Sequence, residues 1–321
     1  MDLNNDYAFS VNLRGINFGN TLEAPNEGDW GIVLHEDFFD LVKKAGFNLV
    51  RIPIRWSGHA DINPPYLIDP SFFKRIDWTV QNSLSRGLTT IIDVHHYKEM
   101  MSSPETHKNR LFILWEQIAT RYQNTPENLY FEILNEPFEE FDKNPYLWNQ
   151  YVKKIIPIIR RTNPKRKIIY GPVFYNQLRH LNMLEVPKND SNIIITFHFY
   201  DPFEFTHQGA SWDPKSNQWL GTTWQGTTQQ KLTINIAFDH ATEWAKNNNV
   251  KLFIGEFGAI SKADYNSRVR WTKFIREEAE KRGIGWSYWD FCEELFGIYN
   301  LKTKLWDRNL LKALIPDSLF I

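Results

Sequence analysis

Short apolar runs alternate with longer stretches of mixed apolar and charged residues along most of the chain. The runs fall at 13–18, 48–54, 89–95, 129–134, 167–171, 193–199, 251–255 and 284–289. Most are rich in β-branched or aromatic residues and show little polar alternation, as strands covered on both faces do. Between them the apolar spacing predicts helices over 35–45, 71–86, 108–122, 145–162, 228–247 and 265–282. A shorter helix is expected within 172–184 and a last one over 307–314. Asp69-Pro70 supplies an N-cap and an N1 proline to the second helix. Gly46, Gly87 and Gly283 follow three helices just before the next apolar run, where a left-handed residue closes a helix.

Eight strand–helix pairs place the chain in the α/β class and predict a closed (β/α)8 TIM barrel. No internal repeat, low-complexity tract or Gly/Ser linker divides it, so a single domain over 1–321 is expected. A doubly wound open sheet is the alternative. It is disfavoured because no Gly-x-Gly-x-x-Gly turn follows an early strand. A barrel also says where chemistry belongs: just after the C-terminal ends of the strands.

Composition narrows the classes. Hydrophobic residues make 42% of the 321 and charged residues 23%, the balance of a folded globular protein. A net charge of −1 gives no basic surplus for nucleic acid. The single Cys292 excludes an intrachain disulfide framework and cysteine-rich metal sites. No apolar run reaches the roughly 20 residues of a membrane span. Met1-Asp2-Leu3-Asn4-Asn5-Asp6 lacks the basic-then-apolar order of a secretory signal. Aromatics make 15%, with 13 Trp, 13 Tyr and 23 Phe. A large aromatic core accounts for most of them. A sugar-binding groove is the sharper reading, since the apolar faces of sugar rings stack on flat aromatic rings.

The strand ends carry the polar residues. They read Asp93-Val94-His95-His96-Tyr97, Leu134-Asn135-Glu136-Pro137, His198-Phe199-Tyr200, Gly255-Glu256-Phe257-Gly258 and Trp289-Asp290. Glu136 alone could be an ordinary acid at a helix N-terminus, as Glu139, Glu140 and Asp142 could be. Glu256 has the same setting after the seventh strand, between two glycines small enough to let a ligand approach. Together the two form a carboxylate pair across the barrel mouth, the minimal apparatus of glycoside hydrolysis. His95, His96, His198 and His207 raise a metal site. However, adjacent His95 and His96 point to opposite sides if the strand runs through them, so hydrogen bonding to sugar hydroxyls and carboxylates is the better reading. Arg51, inside an apolar run, must pair with an acid and would keep a neighbouring nucleophile ionised. Arg55 fits a surface ion pair equally well. The long connection 201–227 holds His207, Trp212, Trp219 and Trp224, some to pack beneath it and some to face substrate.

The ordered set Arg51-Ile52-Pro53, His95-His96, Asn135-Glu136-Pro137, His198-Phe199-Tyr200, Gly255-Glu256-Phe257-Gly258 and Trp289-Asp290 resembles glycoside hydrolase family 5, the cellulase family. Leu13-Arg14-Gly15-Ile16-Asn17-Phe18-Gly19-Asn20 is similar to its first strand. The resemblance implies a retaining endo-β-1,4-glucanase with Glu136 as acid/base and Glu256 as nucleophile. It implies that Asn135 binds the sugar 2-hydroxyl, that Tyr200 hydrogen-bonds the nucleophile with Arg51 close by, that His95, His96 and His198 line that subsite and that Trp289 forms its floor. Asn20, Glu23, His207 and Trp212 are implied as further substrate-binding residues. The expected partner is a β-linked polysaccharide, with no metal or cofactor and a monomeric state. A polymer substrate argues for export, and a cytoplasmic location is the alternative. A β-1,4-mannanase of the same family, a non-catalytic carbohydrate-binding barrel and a metal-dependent amidohydrolase are the competing readings.

Overall fold

The structure, a computed structural model, describes residues 13–317. The N-terminal segment read above against a secretory signal lies outside the described residues. Eight parallel strands close into a barrel in sequence order: β1 (Arg14–Asn17), β2 (Leu49–Ile52), β3 (Thr89–Asp93), β4 (Leu129–Glu132), β5 (Ile168–Tyr170), β6 (Ile193–Phe199), β7 (Lys251–Phe257) and β8 (Gly285–Tyr288). The expected strands are all present, most trimmed by a residue or two at their ends.

Alternation along each strand divides the core in two. Leu49, Ile91, Tyr130, Ile169, Ile194 and Phe253 fill the lumen near its N-terminal end. Their outward neighbours join the larger core between barrel and helices. One step further along, the same inward stripe turns polar: Arg51 follows Leu49, Asp93 follows Ile91 and Glu132 follows Tyr130. The lumen is thus an apolar plug with a charged layer above it, and the candidate chemistry stands on that layer.

Helices Glu36–Ala45, Pro70–Ser85, Pro104–Arg121, Pro145–Arg160, Thr228–Asn248 and Tyr265–Lys281 match expectation within a few residues. Asp69 caps Pro70–Ser85 by accepting from the Ser71 N–H. Gly46 closes the first helix at φ 101°. The helix expected over 108–122 starts earlier, because Pro104 opens it as an N1 proline. The helix expected within 172–184 is absent. Phe174, Tyr175 and Asn176 take φ of 57°, 59° and 55°, a left-handed turn, and a 3-10 stretch Leu178–Met183 follows. The 201–227 connection carries a short helix Phe203–Thr206 and a 3-10 turn Pro214–Trp219. Trp224 is buried beneath it, while Trp212 is 60% exposed. Among the described residues no helix is long and apolar enough to cross a membrane.

Candidate active site

Two local departures from regular strand geometry aim the acids. On β7, Ile254 pairs with Phe197 and Glu256 pairs with His198, so Gly255 is an extra residue in a bulge. Alternation would send Glu256 outward with Leu252 and Ile254. The bulge returns it to the lumen side, a recognised use of such irregularities beside active sites. A Cβ on Gly255 would lie 2.7 Å from Thr196 Oγ1 and 2.9 Å from His198 Nε2. At Gly258 a Cβ would strike the Trp289 carbonyl at 2.2 Å. Both glycines therefore make room for protein atoms, not for ligand as the sequence suggested. Beyond β4, Glu136 sits at φ 46°, and Asn20 and His96 share that left-handed conformation at φ 59° and 51°. Such backbone strain in non-glycine residues concentrates where function requires it.

Arg51 ties the charged layer together. It is fully buried and bidentate to Glu132, at 2.7 and 2.8 Å. It also reaches Asp93 Oδ2 at 2.9 Å, Asn17 Oδ1 at 3.0 Å, Asn135 Oδ1 at 2.7 Å and Glu256 Oε1 at 2.9 Å. The acid that Arg51 had to pair with is thus first Glu132 and only then Glu256. Glu132 escaped the sequence reading. Its signal was a lone charge inside an apolar strand, the same signal that singled out Arg51. Arg55 is half-buried and takes no part in this network.

The second oxygen of Glu256 accepts from the Tyr200 hydroxyl at 3.0 Å. His198 Nδ1 lies 2.7 Å from Glu136 Oε1 and 3.6 Å from Glu256 Oε2. An oxygen of each glutamate and a nitrogen of His198 all fall within 4.8 Å of one another. Burial lowers the His198 pKa, so the ring is neutral at pH 7. The Asn176 amide Nδ2 stands 3.4 Å from its other nitrogen. A donor there assigns the proton to Nδ1, aimed at Glu136.

The two carboxyls differ electrically. Glu136 is 27% exposed at the mouth, yet the protein around it strips enough water to push its pKa up to about 8. Arg51 opposes that rise, while Glu132 and Asp93 add to it. Burial raises Glu256 as well, but His198, Arg51 and the Tyr200 hydrogen bond all pull it back. Glu136 is thus held in its acid form up to about pH 8, whereas Glu256 has the direct hydrogen bonds of Arg51 and Tyr200 to favour its ionised form.

The remaining expected residues separate into those at the mouth and one behind it. β3 ends at Asp93 and His96 is left-handed, so His95 and His96 do not diverge as a continued strand would have made them. Their rings sit 4.5 Å apart. His95 Nδ1 bonds Asp93 at 2.7 Å, and its ring lies nearly parallel to Trp289, 14° off at 6.2 Å. His207 packs edge-on against Tyr200 at 4.8 Å and against Trp212 at 6.1 Å. Burial keeps His95, His96 and His207 neutral. Glu23 is different. It is fully buried, and its carboxyl accepts from the backbone N–H groups of Asn20 and Thr21. It shapes the turn that presents Asn20 and does not itself face the groove.

Among the described residues, Glu136, His198 and Glu256 are the one group able to hold a metal ion. Of the four histidines that raised the question, only His198 belongs to it. At the far end of the barrel a cavity of about 420 Å³ is lined by Lys167, Lys246, Lys251 and Arg282 among others, with no carboxylate.

Residues 5–294 match the cellulase family, glycosyl hydrolase family 5. The chain belongs to that family. It is 40% identical over 313 residues to Endoglucanase H of Acetivibrio thermocellus, an alignment covering 95% of this chain and 33% of that protein. The chain thus spans about a third of that relative's length. The endoglucanase Cel5A of Thermotoga maritima, solved with mannotriose, superposes with a TM-score of 0.93 at 47% identity, covering 96% of this chain and 99% of that one. The cellulose synthase subunit Z of Clostridioides difficile superposes at 0.90 and 44% identity, covering 94% and 99%. The family-5 barrel thus spans nearly the whole of these two solved chains, and in this protein the paired glutamates lie at its C-terminal mouth.

Proposed function

We propose that this family-5 barrel is a retaining endo-β-1,4-glucanase. The observation that carries the mechanism is the approach of the two glutamates, with oxygens within 4.8 Å. Retaining enzymes hold their carboxyls roughly 5–5.5 Å apart, and inverting ones leave about 6.5–9.5 Å for a water.

Ionised Glu256 attacks the anomeric carbon. As its oxygen forms the new bond, the glycosidic C–O bond breaks and the leaving oxygen takes the proton of Glu136. Esterification removes the negative charge of Glu256 from beside Glu136, and the pKa of Glu136 falls. Glu136 then accepts a proton from water, the water oxygen bonds to the anomeric carbon, and Glu256 departs as carboxylate. Arg51 and Tyr200 hold Glu256 through both steps. His198 stabilises Glu136 while it is ionised between them. Asn135, fixed by Arg51, presents its amide to the 2-hydroxyl of the reacting sugar. Trp289 and His95 form the apolar floor and side of that subsite, with Asn20, His96, His207 and Trp212 further along.

The presence of both glutamates supports an enzyme over a non-catalytic binding barrel. The endoglucanases among its relatives support glucan as the preferred polymer, and a polymer that crosses no membrane supports work outside the cell. The test is a panel of carboxymethylcellulose, mixed-linkage β-glucan and β-mannan with product sizing. Rapid loss of viscosity on both glucans, faster than on mannan, is expected. Inactivity on every β-1,4-glucan would end the reading, and activity on mannan alone would make the enzyme a mannanase.

A further inference from the structure

The left-handed turn after β5, where the sequence predicted a helix, clamps the contact between His198 and Glu136 from both sides. Phe174, Tyr175 and Asn176 all take positive φ. Non-glycine residues hold that conformation in succession only where packing enforces it. On one side the turn grips the loop that carries Glu136: the Tyr175 N–H donates to the Pro137 carbonyl at 3.3 Å and the Phe174 N–H to Asp142 Oδ1 at 2.6 Å. On the other it grips β6, where Gln177 forms a parallel bridge with His198 itself. Asn176 sits at the junction. It is fully buried, and its Nδ2 stands 3.4 Å from His198 Nε2. A Cβ on Gly171 would lie 2.4 Å from Asn176 Oδ1, so glycine is required there to seat the amide.

A neutral histidine carries one ring proton, on either nitrogen. With the proton on Nδ1, His198 donates across the 2.7 Å gap to Glu136 Oε1, whether that carboxyl is ionised or protonated. With the proton on Nε2, Nδ1 offers a lone pair that only the protonated acid can meet. A catalytic cycle that passes through both states of Glu136 therefore needs the first tautomer. An amide N–H at Nε2 requires an acceptor there and selects it. Arg51 on β2, Asp93 and His95 at the end of β3, Glu132 on β4 and Glu256 on β7, with its partner Tyr200, also face the pair. Of these, Glu256 approaches the ring from the Nδ1 side, at 3.6 Å. The Nε2 side belongs to Asn176.

We propose that Asn176 is a positioning residue of the double displacement: it fixes the His198 proton on Nδ1, so that Glu136 finds a donor whenever it is ionised. The inference rests on the retaining glucanase reading above. It makes the turn after β5 part of the acid/base apparatus, acting on Glu136 through His198 without touching substrate.

The test compares wild type, Asn176→Gly and Asn176→Asp. Glycine and aspartate both tolerate positive φ, so either variant can keep the turn. NMR of isotope-labelled histidine nitrogens reads which nitrogen of His198 holds the proton, its signal assigned by its loss in His198→Gln. Wild type should show Nδ1–H alone. Asn176→Gly should show a mixture, and Asn176→Asp, which offers an acceptor instead of a donor, should protonate Nε2. On cellopentaose, the basic limb of kcat/KM for Asn176→Gly should move up by about half a pH unit or more, because ionised Glu136 has lost a fixed donor. Nε2–H in wild type would overturn the assignment, as would a limb that moves down. A lower rate with limb and tautomer both unchanged in the variants would reassign Asn176 to scaffold. Wild type inert on cellopentaose would remove the glucanase reading, and the role of Asn176 with it, whichever tautomer the ring holds.

Discussion

At the scale of single residues the account turns on two glutamates made unequal by their surroundings. Burial pushes the pKa of Glu136 up to about 8 in the folded chain, so its acid form, the one the proposed mechanism uses, is lost as pH rises through that value. The basic limb of kcat/KM should therefore lie near pH 8, and the acid limb, set by Glu256, above the ordinary glutamate range. Linkage gives a second readout. A carboxyl whose folded pKa is raised favours the folded state below its unfolded pKa and loses that contribution as pH climbs to the folded value. Glu136→Gln should thus be inactive on polysaccharide yet gain thermal stability over wild type at pH 8, as scanning calorimetry would show. Glu256→Gly should lose turnover, and azide should restore cleavage of an activated aryl glycoside with inverted product. Glu136→Ala with azide should give a retained product. The opposite pattern would exchange the two roles. Sequence revealed these residues because each ends an apolar strand. It concealed Glu132 and mistook Glu23 for a groove residue, because the direction of a side chain depends on register and turn geometry.

Elements place those residues, and two irregular ones matter most. The β7 bulge at Gly255 turns Glu256 inward and leaves no room for a Cβ beside Thr196 and the His198 ring. Gly255→Ala should displace His198, weaken its bond to Glu136 and cut kcat severely while circular dichroism stays native. Undiminished kcat would mean that the ring tolerates the methyl group. The other element is the charged layer on β2, β3 and β4. Arg51→Met would strand Glu132 and Asp93 as buried acids without their cation, at a cost of about 3–5 kcal/mol in denaturant unfolding. The regular elements were legible from apolar spacing and caps such as Asp69-Pro70. The turn 174–176 was not, since helical spacing carries no record of the contacts with Pro137, Asp142 and His198 that hold it left-handed.

For the whole molecule, the barrel separates stability from chemistry along its axis: an apolar plug in the lumen, a charged layer above it and an aromatic-rimmed mouth. Trp289 tests that separation. Half-buried and beside His95, it should cost turnover far more than stability when changed to Ala, because a floor under the reacting sugar acts in the transition state. Equal losses would return Trp289 to the core. The central claim, a double displacement by Glu136 and Glu256, is tested most directly by following the anomeric configuration of newly formed product by proton NMR as wild-type enzyme cleaves a soluble β-1,4-glucan oligosaccharide. The account predicts that the β-anomer accumulates first and the α-anomer follows only by mutarotation. First appearance of the α-anomer would contradict it.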